Sequence, residues 1–582
     1  MKKIMICSFL IFIGLQGCKK DPLDITPDGR ITLEEVFKDE KRTEAYLNTV
    51  YNSIPSYFWR YQFYSFLSVI TDESQDGDVG NAPNIMSAQW INGGLTPSYN
   101  PLEFDGQGAG RVRYNTYWAG IRDANVFLEN IDKANVPSPT NRNRMRAEAQ
   151  VLRAFYYLEL IKQFGPMPVV DKSFSGSFDY KSLTRPSFQA CTDFIVQNCD
   201  QAIATNDLPL RITIETERGR FTRAIAHAIK SQALLYNASP LWNPGNEISK
   251  WKAAAEASKI ALTTLTANNN YKLADNYGEY FLSQTDINNT PRDKETIYER
   301  PEGGDPNFVS MNGIPSRSGS SKSGTNPSQE LVDAYDMKVT GMPAITGYLD
   351  ADHLQPVINA ASGYLETNPY EGRDPRFYAT VWYNGAAYDN ISGQVHTIET
   401  FTGGSDQLLK SPPNKVNTHS GYYLRKFIDP KIQVGQSSNA KWKKYRLAEI
   451  YLNYAEAENE NLGPIQDVYD AINTVRNRAG MPNLPLGLTK DQMRERIRRE
   501  RRVELAIEEH RFWDVRRWKI LSQTDKVLTG MEITKTGGNS FSYKRFVSER
   551  RSAWADKFLI FPIPINDAAN IPDFGANQNP GW

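Results

Sequence analysis

Across 582 residues the chain carries 67 Lys and Arg against 67 Asp and Glu. The formal net charge of zero argues against nucleic acid, which needs a basic face. Length alone suggests about four domains as a prior; the 40% hydrophobic and 12% aromatic content, with 30 tyrosines, suits a soluble body whose rings serve mostly as core.

The chain opens as an export signal. Lys2-Lys3 is a basic n-region and Ile4 to Leu15 an apolar stretch too short for an ordinary spanning helix. Leu15-Gln16-Gly17-Cys18 has the form of a bacterial lipobox, with Gln16 where a small or apolar residue is usual. The expectation is a signal peptide over 1–17 and a lipidated Cys18, with several acyl chains as a stable anchor. The competing reading is a secretory peptide cleaved nearby. No later run is apolar enough to span a membrane.

Apolar periodicity then predicts helices over Leu33–Ile54, Tyr114–Lys133, Thr140–Phe164, Ser187–Ala204, Thr222–Ala238 and Ser249–Thr264. Trp118 joins a stripe with Tyr114, Ile121 and Leu128 and reads as core. Cys191 and Cys199 sit eight apart on one predicted helix, about 12 Å along its axis, so they read as buried thiols and not a disulfide. Small alanines facing aromatics in these pairs are what tetratricopeptide-like packing needs.

Between the first two helices, Asp72 to Asp78 imitates the front of a calcium loop, but position twelve is Pro83 in place of a bidentate Glu. Trp90 follows in a polar stretch with Asn81, Gln89, Asn92, Gly93, Gly94 and Tyr99 and no helical register. Such a ring either plugs the body below or faces a ligand.

From about 267 to 439, Gly, Asn, Ser and Pro dominate and helical periodicity fades. A short helix at Ser328–Tyr335 and a hairpin around Phe377–Tyr388, turning at Asn384-Gly385, interrupt this region. Gly319 to Gly324 has the spacing of a phosphate loop, but Thr325-Asn326 follows where Lys-Ser/Thr is required. Helices return at Tyr445–Asn461, Ile465–Ala479 and Asp491–Leu521. The last carries Phe512, Trp513 and Trp518 beside Glu500, Glu504, Arg511 and Asp514, so its charges must be buried in pairs. Arg511 and His510 share a face with Asp514. A catalytic or metal pair is the sharp reading and a packing salt-bridge network the favoured one. No metal, cofactor or catalytic motif appears among the five histidines, four cysteines or Gly-rich stretches.

Three blocks carry a resemblance: Tyr445-Arg446-Leu447-Ala448-Glu449-Ile450-Tyr451, then Glu500-Arg501-Arg502-Val503-Glu504-Leu505 running to His510-Arg511-Phe512-Trp513-Asp514, and Phe561-Pro562-Ile563-Pro564 before the end Asn579-Pro580-Gly581-Trp582. Asn326-Pro327-Ser328-Gln329-Glu330 and Arg373-Asp374-Pro375-Arg376-Phe377 add to it. In this order they resemble the SusD/RagB family, surface lipoproteins of Bacteroidetes that capture nutrients for a TonB-dependent transporter. The resemblance implies a mostly α fold: a tetratricopeptide-like superhelix of helical pairs, a loop-rich mixed insertion region and few short strands. It implies one domain over 18–582, with a helical scaffold at about 30–266 and 440–521, a ligand-side region at about 267–439 and a tail over 522–582. By region it places ligand contacts at Trp90, Asn92 and Tyr99, and at Phe308, Met311 and Arg317. The implied function is non-catalytic: an oligosaccharide bound at the cell exterior and delivered to a SusC-like transporter in the outer membrane. Peptide capture by the same architecture and a lipoprotein glycoside hydrolase are the alternatives.

Overall fold

The computed structural model describes residues 31–582 apart from 59–64, 79–84, 104–112, 175, 286, 288–292, 302–305, 390–392 and 410–415. The expected signal peptide, Cys18, Asn81 and Pro83 lie outside the described residues.

The scaffold helices are α1 (Glu40–Tyr51), α2 (Arg113–Asn130), α3 (Pro139–Phe164), α4 (Phe188–Ile203), α5 (Arg223–Ala238), α6 (Ile248–Thr266), α7 (Leu447–Leu462), α8 (Gln466–Arg478), α9 (Lys490–Glu504) and α10 (His510–Arg517). From α2 onward each packs on the next through α8, including α6 on α7 across the long excursion between them. This is the mostly helical, tetratricopeptide-like architecture expected.

Local chemistry sets these helices. Ser138 caps α3 by accepting from the Asn141 N–H at 3.2 Å, Pro139 opens it, and Gly165 ends it at φ +73°. Small residues let neighbours approach: a Cβ on Gly120 of α2 would stand 2.6 Å from the Tyr156 ring of α3. Ala124, Ala147, Ala154, Ala228 and Ala261 are fully buried between helices for the same reason. Cys191 and Cys199 are buried free thiols, and burial lifts the Cys191 pKa to about 11.

The strands are short and local. Strands β1 (Ile70–Thr71) and β2 (Ser74–Asp76) join the later β4 (Thr325–Pro327) in a three-stranded antiparallel sheet. Strand β3 (Thr296–Glu299) pairs with β5 (Lys443–Arg446), placing the two ends of the excursion side by side. The longest hairpin, β6 (Val527–Gly537) with β7 (Ser540–Arg550), lies in the tail and was not anticipated.

Three sequence expectations need correction. The helix expected over Leu33–Ile54 divides into Leu33–Phe37 and Glu40–Tyr51, because Thr32 and Asp39 each cap a separate start. The hairpin around Phe377–Tyr388 does not form. Asp374 caps a helix over Pro375–Thr380, Val381–Trp382 pairs with Tyr423–Leu424, and Ala387–Asp389 pairs with Val395–Thr397. The turn at Asn384-Gly385 survives, with Gly385 at φ +89°, but its flanks join different partners.

The single helix over Asp491–Leu521 is also broken, between α9 and α10, where Ile507 and Glu509 take φ of +63° and +66°. Side chains capture the carbonyls this frees. Tyr277 and Arg446 donate to the Glu504 carbonyl at 2.9 and 2.7 Å, and Lys426 to that of Ala506 at 2.8 Å.

The broken helix carries the expected buried ion-pair network, with partners the helix-face rule did not name. Glu504 holds Arg376 at 2.8 Å, Arg446 at 2.6 Å and Arg478. Glu500 binds Arg376 and Arg476 at 2.5 and 2.9 Å. Asp514 binds Arg501 and Arg517 at 3.2 and 2.8 Å, not Arg511. His510 faces Glu449, its Nε2 4.0 Å from Oε2, so it forms no catalytic pair with Asp514. Burial first, then Arg501, pushes the His510 pKa well down and keeps the ring neutral.

Candidate functional site

The expected ligand surface divides into buried and exposed members. Trp90 is 1% exposed and lies on a helix over Met86–Ile91. Its ring packs 5.3 Å from Phe561 and 5.6 Å from Phe512, and the Arg516 guanidinium lies 5.6 Å over it. The expectation that Trp90 meets a ligand is therefore corrected. Met86 and Trp90, four apart on one helical face, both turn into the core, where a large apolar ring gains most.

Phe308 is corrected in the same way. It is 2% exposed on the helix Pro306–Asn312, 4.6 Å from Phe58 and 5.8 Å from Phe66 in a second aromatic core that includes Phe427 and Trp442. Met311 is half-buried.

Asn92 and Tyr99 stay at the surface together. Asn92 follows the Trp90 helix and is exposed; Gly93, at φ +78°, turns the chain. Tyr99 is 43% exposed, its hydroxyl donating to Gln89 and its backbone bridged to Thr96. Arg317 lies elsewhere. It pairs with Asp406 at 2.8 Å and donates to the Thr397 carbonyl at 2.9 Å, latching the helix Pro315–Ser318 to the 397–406 loop. No contact among the described residues joins Arg317 to the Asn92–Tyr99 turn.

The sheet β1–β2–β4 nonetheless draws the two expected regions toward each other. The Gly77 N–H donates to the Gly324 carbonyl at 2.7 Å, and Lys322 pairs with Asp78 in a buried contact. A third loop, absent from the sequence reading, completes this edge. Ser323 donates to the Asn417 carbonyl at 3.1 Å, and the His419 N–H donates to Asn326 at 2.8 Å.

Gly324 has φ +48°, and a Cβ there would stand 2.2 Å from the Met311 carbonyl oxygen. Close backbone approach explains this glycine, so the G-x-x-x-x-G spacing marks no phosphate loop. The calcium-like run is likewise occupied by structure. Asp72 receives two 2.8 Å hydrogen bonds from Arg511 and one ion pair at 2.9 Å from Arg502. Burial alone would raise its carboxyl, yet Arg502 and Arg511 hold it at about 2. Beside it, burial lifts Glu73 to about 8; its Oε2 accepts only a long 3.2 Å bond from the Ile507 N–H. These acids lie inside the fold, fixing the first strands to the broken helix.

A model of the SusD family matches residues 279–582, more than half of the chain. The chain belongs to the SusD family. A second family model, described as starch-binding and associating with the outer membrane, matches residues 31–238. Among relatives of this SusD-family chain, SusD-like protein P2 of Formosa agariphila is 24% identical over 533 residues, covering 89% of this chain and 91% of its own. A solved SusD-like protein of Bacteroides fragilis is 26% identical with a TM-score of 0.73, covering 95% of this chain and 100% of its own. A laminarin-binding SusD-like protein is 23% identical with a TM-score of 0.57, covering 94% and 100%. Among the described residues, no helix is long and apolar enough to cross a membrane.

Proposed function

We propose that this SusD-family protein is an outer-membrane lipoprotein, anchored through Cys18 and facing the cell exterior, that binds an oligosaccharide and delivers it to a SusC-like TonB-dependent transporter. In this reading residues 18–582 act as one domain. The carrying observation is the family match over 31–238, whose description joins starch binding to the outer membrane. The laminarin-binding relative supports the same ligand class. The acids Glu504 and Asp72 are committed to structural ion pairs, a scaffolding role that suits a binder. Of the residues first expected at the ligand surface, Asn92 and Tyr99 keep the exposure that a contact requires.

The test is a glycan array run beside a peptide-binding assay on the purified protein, with co-purification from native membranes in mild detergent. Glycan binding and recovery with a large β-barrel are expected. Binding of peptides alone would overturn the ligand class, and release of reducing sugar from a bound glycan would overturn the non-catalytic role.

A further inference from the structure

A cleft of about 400 Å³ opens between α2, the segment around 168–183 and two short helices near the chain end, Ile565–Asn570 and Pro572–Ala576. That volume lies within the roughly 300–1,000 Å³ of ligand pockets. Its floor is apolar, from the buried side chains of Ile121, Ile571 and Phe574. Trp118 forms one wall. It packs on the core as its stripe predicts, yet it is only half-buried, with Tyr157 edge-on behind it at 6.1 Å.

The other wall is a group of rings that the core does not need. Phe174 and Phe178 stack at 3.8 Å and 12°, and Tyr180 meets both edge-on at 5.6 and 5.3 Å. Phe174 and Tyr180 remain 37% and 53% exposed, and none of the three rings packs into the buried cluster beneath. Exposed aromatic groupings of this kind mark recognition surfaces.

The stretches that flank this wall are hydrogen-bonded to the scaffold on both sides. Asn125, fully buried on α2, donates to the carbonyls of Val170 and Lys172 at 3.0 and 3.1 Å. Ser173 donates to Glu129 through its N–H at 2.9 Å and its hydroxyl at 2.6 Å. Arg185 ties the same stretch to the chain end, its backbone N–H donating to Asp573 at 2.7 Å. Such anchoring lowers the ordering cost that a loop would otherwise charge to binding.

Polar groups ring the apolar floor. Asn115, Arg122 and Lys172 supply donors at the rim, and Asp567 supplies an acceptor. The Tyr114 hydroxyl, on a residue only 2% exposed, faces Asp567 and the Trp118 edge without closing a hydrogen bond of ordinary geometry. Flat rings beside mixed donors and acceptors complement a pyranose, which offers C–H faces bordered by hydroxyls. Opposite charges at the rim suit a neutral ligand better than an acidic or basic one.

We infer that this cleft is a saccharide-binding site, taking a neutral sugar ring against Tyr180 and Trp118, separate from the Asn92–Tyr99 turn. The inference rests on the glycan reading above.

Isothermal titration of wild type and of the Phe174→Ala, Tyr180→Ala double variant tests it. Maltohexaose, laminarihexaose and every array-positive glycan serve as probes, and a thermal melt of each protein runs alongside. The expected result is an affinity loss of about tenfold or more, or a lost fraction of the stoichiometry, with the melt unchanged. If the double variant melts early, Tyr180→Ala alone is titrated against the same criteria. Undiminished affinity and stoichiometry for every glycan that the wild type binds would overturn the site. Intact glycan binding with loss of transporter co-purification would overturn it too, by making the cleft a protein dock. A wild type that binds no saccharide would instead bring down the glycan reading, and this site with it.

Discussion

Asp514→Ala tests whether the broken helix is held by buried charge. Asp514 is 3% exposed and accepts from Arg517 Nε at 2.8 Å and from Arg501 Nε and Nη2 at 3.2 and 3.4 Å. Removing one partner of a buried pair costs about 3–5 kcal/mol because the other charge is left uncompensated. Here neither arginine is wholly orphaned. Arg517 keeps Glu456 at 2.7 Å, and Arg501 keeps Asn453 at 2.7 Å and Glu456 at 3.6 Å. The low end, about 3 kcal/mol, therefore applies. At about 2.1 cal/mol/K per residue, a cooperative unit of about 550 residues unfolds with roughly 1.2 kcal/mol/K, so Tm should fall by about 2–3 °C. Burial would raise the Asp514 carboxyl, but Arg501 and Arg517 bring it below the usual carboxylate range. A depressed folded-state pKa contributes stability that is present above the unfolded value, about 3.9, and lost as pH falls. The gap between wild type and variant should thus be full at neutral pH and close on acidification below about pH 4. Differential scanning calorimetry across that range reads both effects. Superimposable melts at neutral pH, or a gap that persists in acid, would refute the reasoning.

Trp90→Ala should destabilise by about 3–5 kcal/mol, as for other buried aromatics, and leave glycan affinity of the folded fraction unchanged; titration beside a melt separates core plug from ligand contact. Glu73→Gln should flatten the stability profile between about pH 5 and 8. The folded pKa of about 8 stands above the free value of 4.5, so only the native state holds the proton in that window, and wild type loses stability as pH rises to about 8. Parallel Tm profiles for both proteins from about pH 5 to 8 would contradict this. Cys18→Ala should abolish fatty-acid labelling and release the protein from the outer membrane; label retained in the variant would dismiss the anchor.

What the sequence made legible was whatever depends on local pattern. The span Thr140–Phe164 emerged as Pro139–Phe164 because cap, periodicity and Gly stop agree along one stretch of chain. The burial of the charged helix was legible too, since Phe512, Trp513 and Trp518 allow no exposed face. Its pairings were not. Arg511 finds Asp72 from 439 positions away, a distance no helical spacing encodes. Trp90 misled because polar neighbours hid a helix of six residues; the Met86 to Trp90 spacing was the available signal. The tail hairpin also had a visible cue, Gly537-Gly538-Asn539 between alternating runs, with Met531 and Ile533 both turned inward. The Trp118 cleft was out of reach, since it needs α2, the 168–183 stretch and the chain end in one place.

The pairing of β3 with β5 has an evolutionary consequence. It clasps the exit and re-entry of the long excursion at one point on the superhelix, while α6 packs directly on α7. The excursion is also stitched back into the scaffold, through β4 on β2 and Arg376 on Glu500 and Glu504. Doubling the length of a flexible loop adds only about 0.6 kcal/mol of closure cost. Exposed loops within the excursion can therefore lengthen or shorten among descendants, while the segments that carry β4 and Arg376 stay fixed because the solenoid leans on them.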